Sequence, residues 1–191
     1  MAELVLTLAR SELILGGQKS GKSRRAEMLA QYWLTASTQH QALLIATAQP
    51  WDDEMQARIA RHQLDRAERV PGLRTVEEPL ALAQKINQCS RLDTLILVDC
   101  LTLWLTNWLM PATPSDAVQV APIAGLLEAI AAAPGPVVLV GNEIGLGVIP
   151  MGRETRAFVD ALGTLNQDVA RVCQRVTLMA AGLPLTLKAV A

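Results

Sequence analysis

Eight consecutive residues near the amino terminus have the types and spacing of a phosphate-binding loop. They follow the pattern G-x-x-x-x-G-K-S/T and lie between a short apolar run, residues 13–15, and a segment of helical composition, Lys22–Ala36. Glycines here let backbone N–H groups turn toward an anion, and the start of a helix adds positive potential. The residues predicted to bind nucleotide phosphates are Gly16, Gly17, Gln18, Lys19, Ser20, Gly21, Lys22 and Ser23.

Three side chains are assigned roles in this predicted site. Lys22 is the predicted catalytic cation, because a lysine at this position reaches the β and γ phosphates. Ser23 and Asp99 are predicted to hold Mg²⁺, with Asp99 closing the apolar strand Thr94–Asp99. An ordinary strand-end aspartate that caps the next helix is the alternative for Asp99. These features predict a protein that binds a nucleoside triphosphate. They do not identify the molecule that accepts a phosphate or nucleotide from it.

His62 is a candidate nucleophile. Arg58 precedes it by four residues and Arg66 follows it by four, so the three share one face of a predicted helix. Nearby cations disfavour the imidazolium, which favours a neutral, nucleophilic ring, while the guanidinium groups can bind phosphates. The spacing alone favours the alternative of a surface or packed histidine beside solvated arginines. His40, the other histidine, lies in a polar connection and is assigned no chemistry.

The order of apolar runs and turn residues predicts an α/β protein of one domain, residues 1–191. Strands without polar alternation, separated by helices, are typical of a mostly parallel sheet covered on both faces, with ligands at the carboxyl ends of the strands. The predicted strands are 13–15, 42–47, 73–76, 94–99, 136–140, 175–180 and 183–190, and the predicted helices are 22–36, 52–69, 79–89, one ending before 134, and 153–172. The proline-rich stretch 110–122 is predicted to be a variable connection.

Charge and cysteine content exclude several classes of protein. Seventeen Lys plus Arg against 18 Asp plus Glu give a net charge of −1, which argues against a nucleic-acid partner. The most apolar window, 95–110, contains polar residues and is too short to span a membrane. Three cysteines without C-x-x-C spacing favour the reducing cytoplasm over a disulfide framework.

Together, several strings resemble one family, the bifunctional adenosylcobinamide kinase / adenosylcobinamide-phosphate guanylyltransferases of cobalamin biosynthesis. The resemblance runs from about residue 13 to residue 187. It rests on GGQKSGKSRRAE, IATAQPWDDEMQARIARH, the strand ending in Asp99, GNEIGLGVIP and RETRAFVDALGTLNQ. The phosphate-binding loop is common to many families, whereas the segment ending at His62 and the last two strings are specific to this one.

The resemblance implies a RecA-like fold and two reactions. ATP or GTP would phosphorylate the aminopropanol hydroxyl of adenosylcobinamide, and GMP from GTP would then pass through a guanylylated His62 to the new phosphate. It also implies a homo-oligomer, usually a trimer. Further nucleotide-contacting positions implied by the resemblance are Ala46, Thr47, Ala48, Gln63, Leu64, Asp65, Arg66, Glu77 and Asp99.

Three features depart from the usual pattern of this family. Asp99 stands where glutamate is common, and Gln18-Lys19 replaces a small residue plus arginine. Residues 1–10 are an extension that would add an edge strand. Two other functions compete with the bifunctional enzyme: a plain small-molecule kinase in which His62 is structural, and a nonenzymatic nucleotide switch. An Asn-Lys-x-Asp guanine-reading motif is absent from the sequence, which argues against the switch.

Overall fold

A computed structural model describes residues 6–50, 53–111, 121–147 and 150–189; the side chains of residues 54, 55, 58, 59 and 62 are not described. The strands are β1 (Ser11–Gly16), β2 (Gln41–Ala46), β3 (Leu73–Glu77), β4 (Thr94–Asp99), β5 (Val137–Val140), β6 (Arg175–Ala180) and β7 (Leu183–Ala189). The helices are α1 (Lys22–Ala36), α2 (Asp53–Arg69), α3 (Leu82–Cys89), α4 (Leu101–Leu109), α5 (Ile123–Ala132) and α6 (Arg153–Val172). In the described ranges, no helix is long and apolar enough to cross a membrane.

The strands form one seven-stranded sheet in the order β3-β2-β4-β5-β1-β6-β7. The first six strands in that order are parallel, and β7 is antiparallel to β6 at the edge. This arrangement confirms the predicted, mostly parallel α/β sheet. Because the strands are parallel, the residues that follow β1, β4 and β5 lie at one edge, and β5 lies between the other two.

Apolar side chains on both faces of the sheet account for its position inside the molecule. The strands β1 and β5 are buried throughout, as their apolar runs 13–15 and 137–140 require when helices cover both faces. One core cluster packs α3, α4, α5 and α6 on one face, and a second packs α1 on the other. Trp104 of α4 is fully buried in the first cluster, and its indole N–H donates to the Leu80 carbonyl at 3.0 Å.

Two local features differ from the sequence-based expectations. Residues 101–109 form the helix α4. The sequence did not predict it, because polar residues interrupt the apolar window 95–110 in which it lies. The expected edge strand in the amino-terminal extension is wrong for residues 6–10, which form no strand, and residues 1–5 lie outside the described part. Leu6 and Leu8 pack against the α1 core cluster instead. The predicted connection 110–122 falls mostly on residues 112–120, which are also outside the described ranges.

A buried carboxylate ties α1 to the sheet. Glu12 of β1 is fully buried, and its Oε1 accepts hydrogen bonds from Arg25 Nη2 at 3.0 Å and from Thr177 Oγ1 at 2.8 Å. Its Oε2 lies 3.4 Å from Arg175 Nη1. Arg25 is in the first turn of α1, directly after the glycine-rich loop. The network therefore fixes the helix that carries the loop.

We expect Glu12→Gln to lower the free energy of unfolding by about 3 kcal/mol, because it leaves two poorly solvated guanidinium groups without their common carboxylate. Urea unfolding followed by circular dichroism measures the change. Glu128→Gln on the exposed side of α5 is the matched control and should leave stability unchanged. A Glu12→Gln protein as stable as the control would contradict a stabilising role for the network.

Candidate active site at the carboxyl edge of the sheet

The glycine-rich loop connects the end of β1 to the start of α1. Gly16 has a φ of +153°, and a Cβ at this position would lie 2.5 Å from the Met179 carbonyl oxygen, so only glycine fits. Gly21 has a φ of +101° directly before the helix. Gly17, Gln18 and Lys19 are exposed. The loop therefore wraps around the amino-terminal end of α1 as a phosphate-binding loop does.

Lys22 is buried beneath this loop. Only 7% of the residue is exposed, and its Nζ donates a hydrogen bond to the Gly17 carbonyl at 2.6 Å. Burial lowers the pKa of Lys22, while the nearby Cys100 and Asp99 side chains act in the opposite direction. A desolvated ammonium group facing an exposed glycine loop is suited to binding an anion.

Asp99 ends β4 and Cys100 follows it, at the same edge of the sheet as the loop. Asp99 is half-buried, and its charge acts on both Lys22 and Cys100. Burial, reinforced by Asp99, raises the pKa of the Cys100 thiol to about 11. Cys100 therefore stays protonated at neutral pH, which makes it a poor nucleophile. Lys22 and Asp99 are therefore the two charged groups at this point, and the Asp99 charge acts on Lys22.

At the end of β2, the Thr47 hydroxyl is used in bonds within the protein, so only backbone groups there are available to a ligand. Thr47 is fully buried, and its Oγ1 both donates to the Cys100 carbonyl at 2.7 Å and accepts from the Cys100 N–H at 2.9 Å. Its carbonyl accepts from Asn107 Nδ2 at 2.7 Å. Thr47 thus joins β2 to β4, and Ala46 and Ala48 on either side are half-buried.

Glu77 ends β3 and is exposed. β3 is the outer strand of this half of the sheet, four strands from β1. At a spacing of about 4.8 Å between neighbouring strands, Glu77 and the glycine-rich loop are roughly 19 Å apart across the sheet. The structure therefore brings Lys22 and Asp99 together and leaves Glu77 at the far end of the same edge.

Helix α2 carries the predicted nucleophile. His62 lies within this helix, and its side chain is among those not described, as is that of Arg58. After it, Gln63 and Leu64 are exposed and Asp65 is half-buried. Arg66 is 8% exposed, and its Nη1 is buried without a hydrogen-bond partner in the described residues. Arg69 pairs with Glu27 of α1 at 3.2 Å, so the last turn of α2 contacts the helix that follows the loop.

Asn142 and Glu143 follow β5, between the loop and Asp99. The backbone N–H of Glu143 donates to the Gly16 carbonyl at 3.1 Å. The N–H of Asn142 donates to Thr102 Oγ1 at 2.9 Å, and its carbonyl accepts from Asn166 Nδ2 at 3.1 Å. No residue of this segment is among the site residues predicted from the sequence, although a carboxylate three residues beyond a buried strand is a signal for this edge of the sheet.

The oxygen donors at this edge fit a magnesium ion that a nucleotide brings with it. Ser23 lies in the first turn of α1 and Asp99 ends β4, and hydroxyl and carboxylate oxygens are the ligands that Mg²⁺ prefers. Across the described ranges, no cluster of three or more His, Cys, Asp or Glu residues could hold a metal by itself.

The fold and the loop define a P-loop protein that binds nucleoside triphosphates. Residues 12–187 match the family model described as cobinamide kinase / cobinamide phosphate guanyltransferase, and the chain belongs to this family. It is 48% identical to the bifunctional adenosylcobalamin biosynthesis protein CobP of Pseudomonas aeruginosa, over 93% of this chain and 96% of that protein. It is 35% identical to the bifunctional adenosylcobalamin biosynthesis protein CobU of Escherichia coli K12, over 92% of this chain and 98% of that protein.

Two solved structures share the fold at low sequence identity. A Pyrococcus horikoshii protein has a TM-score of 0.52 and 12% identity, covering 97% of this chain and 90% of that one. The flagellar accessory protein FlaH of Methanocaldococcus jannaschii has a TM-score of 0.50 and 13% identity, covering 95% and 80%. These likenesses agree with the RecA-like P-loop architecture expected from the sequence.

Proposed function

We propose that this chain phosphorylates adenosylcobinamide with ATP or GTP and then transfers GMP from GTP to the phosphate it has made. The observation that carries the proposal is the buried Lys22, which lies near Asp99 and under a phosphate-binding loop. The chain also belongs to the family that carries out these two reactions. Both reactions transfer a phosphorus centre of a nucleoside triphosphate, so one phosphate-binding loop serves both. The two reactions differ in their use of His62, which acts as a nucleophile only in the transfer of GMP.

In the kinase reaction, the loop amides and Lys22 hold the β and γ phosphates of the donor. Lys22 gives up its hydrogen bond to the Gly17 carbonyl for phosphate oxygens, and the developing charge is stabilised by a cation that is already desolvated. Ser20 Oγ, buried without a partner among the described residues, supplies a further donor inside the loop. The acceptor hydroxyl then attacks the γ-phosphorus, and the nucleoside diphosphate leaves.

In the guanylyltransferase reaction, the imidazole of His62 attacks the α-phosphorus of GTP and pyrophosphate leaves. The phosphate of adenosylcobinamide phosphate then attacks the histidine-bound GMP, and His62 is regenerated. A P–N bond to imidazole is reactive enough to be discharged in this second step. Arg66, one turn after His62, is the arginine suited to the phosphates, because its buried Nη1 has no partner among the described residues.

Ser23 and Asp99 are the residues proposed to hold the Mg²⁺ that accompanies the nucleotide. When bound, the ion neutralises negative charge on the phosphate oxygens. The remaining nucleotide contacts, Ala46, Thr47, Ala48, Gln63, Leu64, Asp65 and Glu77, are proposed from the family resemblance. For Thr47 the proposal concerns the backbone, since its hydroxyl is already bonded to Cys100.

The proposed assembly is a homo-oligomer, a trimer by family resemblance, of a single-domain chain. Exposed leucines at positions 183, 185 and 187 on the edge strand β7 provide apolar surface for self-association. The cytoplasm is the proposed location, supported by three free cysteines, Cys89, Cys100 and Cys173. Light scattering coupled to gel filtration tests the assembly.

A two-stage assay tests the proposed function. Purified protein with adenosylcobinamide, Mg²⁺ and ATP should give a phosphorylated product, and subsequent GTP should convert that product to a guanylylated one with release of pyrophosphate. Chromatography with mass detection follows both stages. A protein that completes the first stage but not the second would be a plain kinase. A protein that binds triphosphate and completes neither stage would support the nucleotide switch.

A further inference from the structure

Glu143 is a carboxylate at the phosphate-binding edge that the proposed function does not use. We propose that Glu143 is the general base of the kinase reaction: it accepts the proton of the acceptor hydroxyl as that oxygen attacks the γ-phosphorus. The inference rests on the proposed function. That function requires the acceptor hydroxyl to lose a proton, and it does not say which residue takes it.

The position of β5 brings Glu143 to the reacting phosphates. β5 pairs with β1, which leads into the glycine-rich loop, and with β4, which ends in Asp99. Ile14 and Asp99 are both register partners of Val140, so the three strands end nearly level. Glu143 lies three residues beyond Val140, and its N–H is bonded to Gly16 at the first turn of the loop.

The segment that leads to Glu143, residues 141 and 142, is held in place by its neighbours. Asn142 is held on both sides, by Thr102 of α4 through its N–H and by Asn166 of α6 through its carbonyl. Gly141 packs closely as well, since a Cβ there would lie 3.2 Å from Leu15 and 3.3 Å from Asn166 Oδ1. A catalytic group needs such support, because small displacements of the base cost a large part of its effect.

The carboxylate itself is oriented and keeps one oxygen available. Glu143 is half-buried, and its Oε1 accepts a hydrogen bond from the Gly145 N–H at 2.9 Å. Its Oε2 accepts no hydrogen bond from the described residues. One oxygen thus anchors the side chain and the other can accept a proton from a ligand.

The other candidates at this edge are less suited. The charge of Asp99 acts on Lys22, and Asp99 is, with Ser23, a proposed magnesium ligand. Cys100 keeps its own proton at neutral pH. Glu77 ends the distant strand β3, and Oε1 of the adjacent Glu78 already accepts from the N–H groups of Leu80 and Ala81. Glu143 follows β5 next to the glycine-rich loop, and the proposed function gives it no other role.

The step balances without any further reactant. The acceptor O–H bond breaks as a bond forms between that oxygen and the γ-phosphorus, and the bond from the γ-phosphorus to the bridging oxygen breaks. The nucleoside diphosphate leaves with that oxygen, and the proton passes to Glu143 and then to water. Because the transition state of phosphoryl transfer is loose, the carboxylate acts mainly by orienting the hydroxyl and receiving its proton.

Glu143→Gln tests the assignment. Glutamine keeps a carbonyl oxygen that can accept from the Gly145 N–H, so the segment keeps its shape while the base is removed. We expect kcat for phosphorylation of adenosylcobinamide to fall about 10²- to 10³-fold with the KM for ATP unchanged. Formation of the GMP adduct from GTP, which needs no acceptor hydroxyl, should be unaffected. Glu128→Gln is the matched control.

Each other outcome overturns the assignment. Full kinase activity in Glu143→Gln, with the wild type active in both stages, would exclude Glu143 as the base and leave the proposed function intact. An equal loss of phosphorylation and adduct formation would identify Glu143 as a residue that only supports the common nucleotide site. A wild-type protein without kinase activity would remove the proposed kinase function together with this assignment.

Discussion

Lys22→Ala should strongly slow both reactions while leaving the protein folded. We expect kcat/KM for phosphorylation and the rate of GMP-adduct formation each to fall about 10²- to 10³-fold, because both transition states lose the buried cation that stabilises charge on the phosphates. Alanine also removes an ammonium group that burial disfavours, so the free energy of unfolding should be unchanged or higher. Initial-rate assays and thermal unfolding measure the two effects.

The control for this variant is Lys85→Ala on α3, which packs on the sheet face opposite α1. It removes an equal charge and should leave both activities at the wild-type level. A Lys22→Ala protein that loses one activity and keeps the other would contradict a phosphate-binding loop common to the two reactions.

His62→Ala should separate the two activities. We expect GMP transfer to fall by about 10⁴-fold or more, since removal of a covalent nucleophile leaves only binding and electrostatic stabilisation. Phosphorylation of adenosylcobinamide should continue at the wild-type rate, because in the proposed kinase step the acceptor attacks without a protein nucleophile. Product analysis after each stage of the two-stage assay measures both activities in one sample.

The chain contains its own control for this experiment. His40 is the other histidine, and its ring stacks on Trp33 with centroids 3.6 Å apart while Nδ1 donates to the Trp33 carbonyl at 2.8 Å. His40→Ala removes a packed histidine outside the site and should keep both activities. Guanylyl transfer that survives His62→Ala would show that His62 is structural and that another group carries GMP.

The sheet was predictable because its inner strands are continuous apolar runs. Such runs indicate burial on both faces, which occurs in parallel sheets between helices. Residues 13–15 of β1, 95–98 of β4 and all of β5 meet that description. The helix α4 was not predictable in the same way. Thr102, Thr106 and Asn107 interrupt its apolar window, yet Thr102 and Asn107 are buried and bonded to backbone groups of other segments.

The candidate site was predictable where a local motif defines it. The glycines and Lys22 of the loop are specified by spacing between a strand and a helix, and the structure places them there. The bonds that tie Thr47 to Cys100 and Glu12 to Arg25 join residues far apart in the chain. These contacts decide which polar side chains near the strand ends join one strand to another and which stay available to bind a ligand. The spacing of residues in the sequence does not contain this information.

The central claim is that GTP leaves GMP on His62. The direct measurement is incubation of the purified protein with Mg²⁺ and GTP labelled either at the α or at the γ phosphorus, without adenosylcobinamide, beside His62→Ala. The account predicts α-label on the wild type that is acid-labile and base-stable, no γ-label, and no α-label on His62→Ala. Absence of α-label from a wild-type protein that binds GTP, or α-label that persists in His62→Ala, would contradict it.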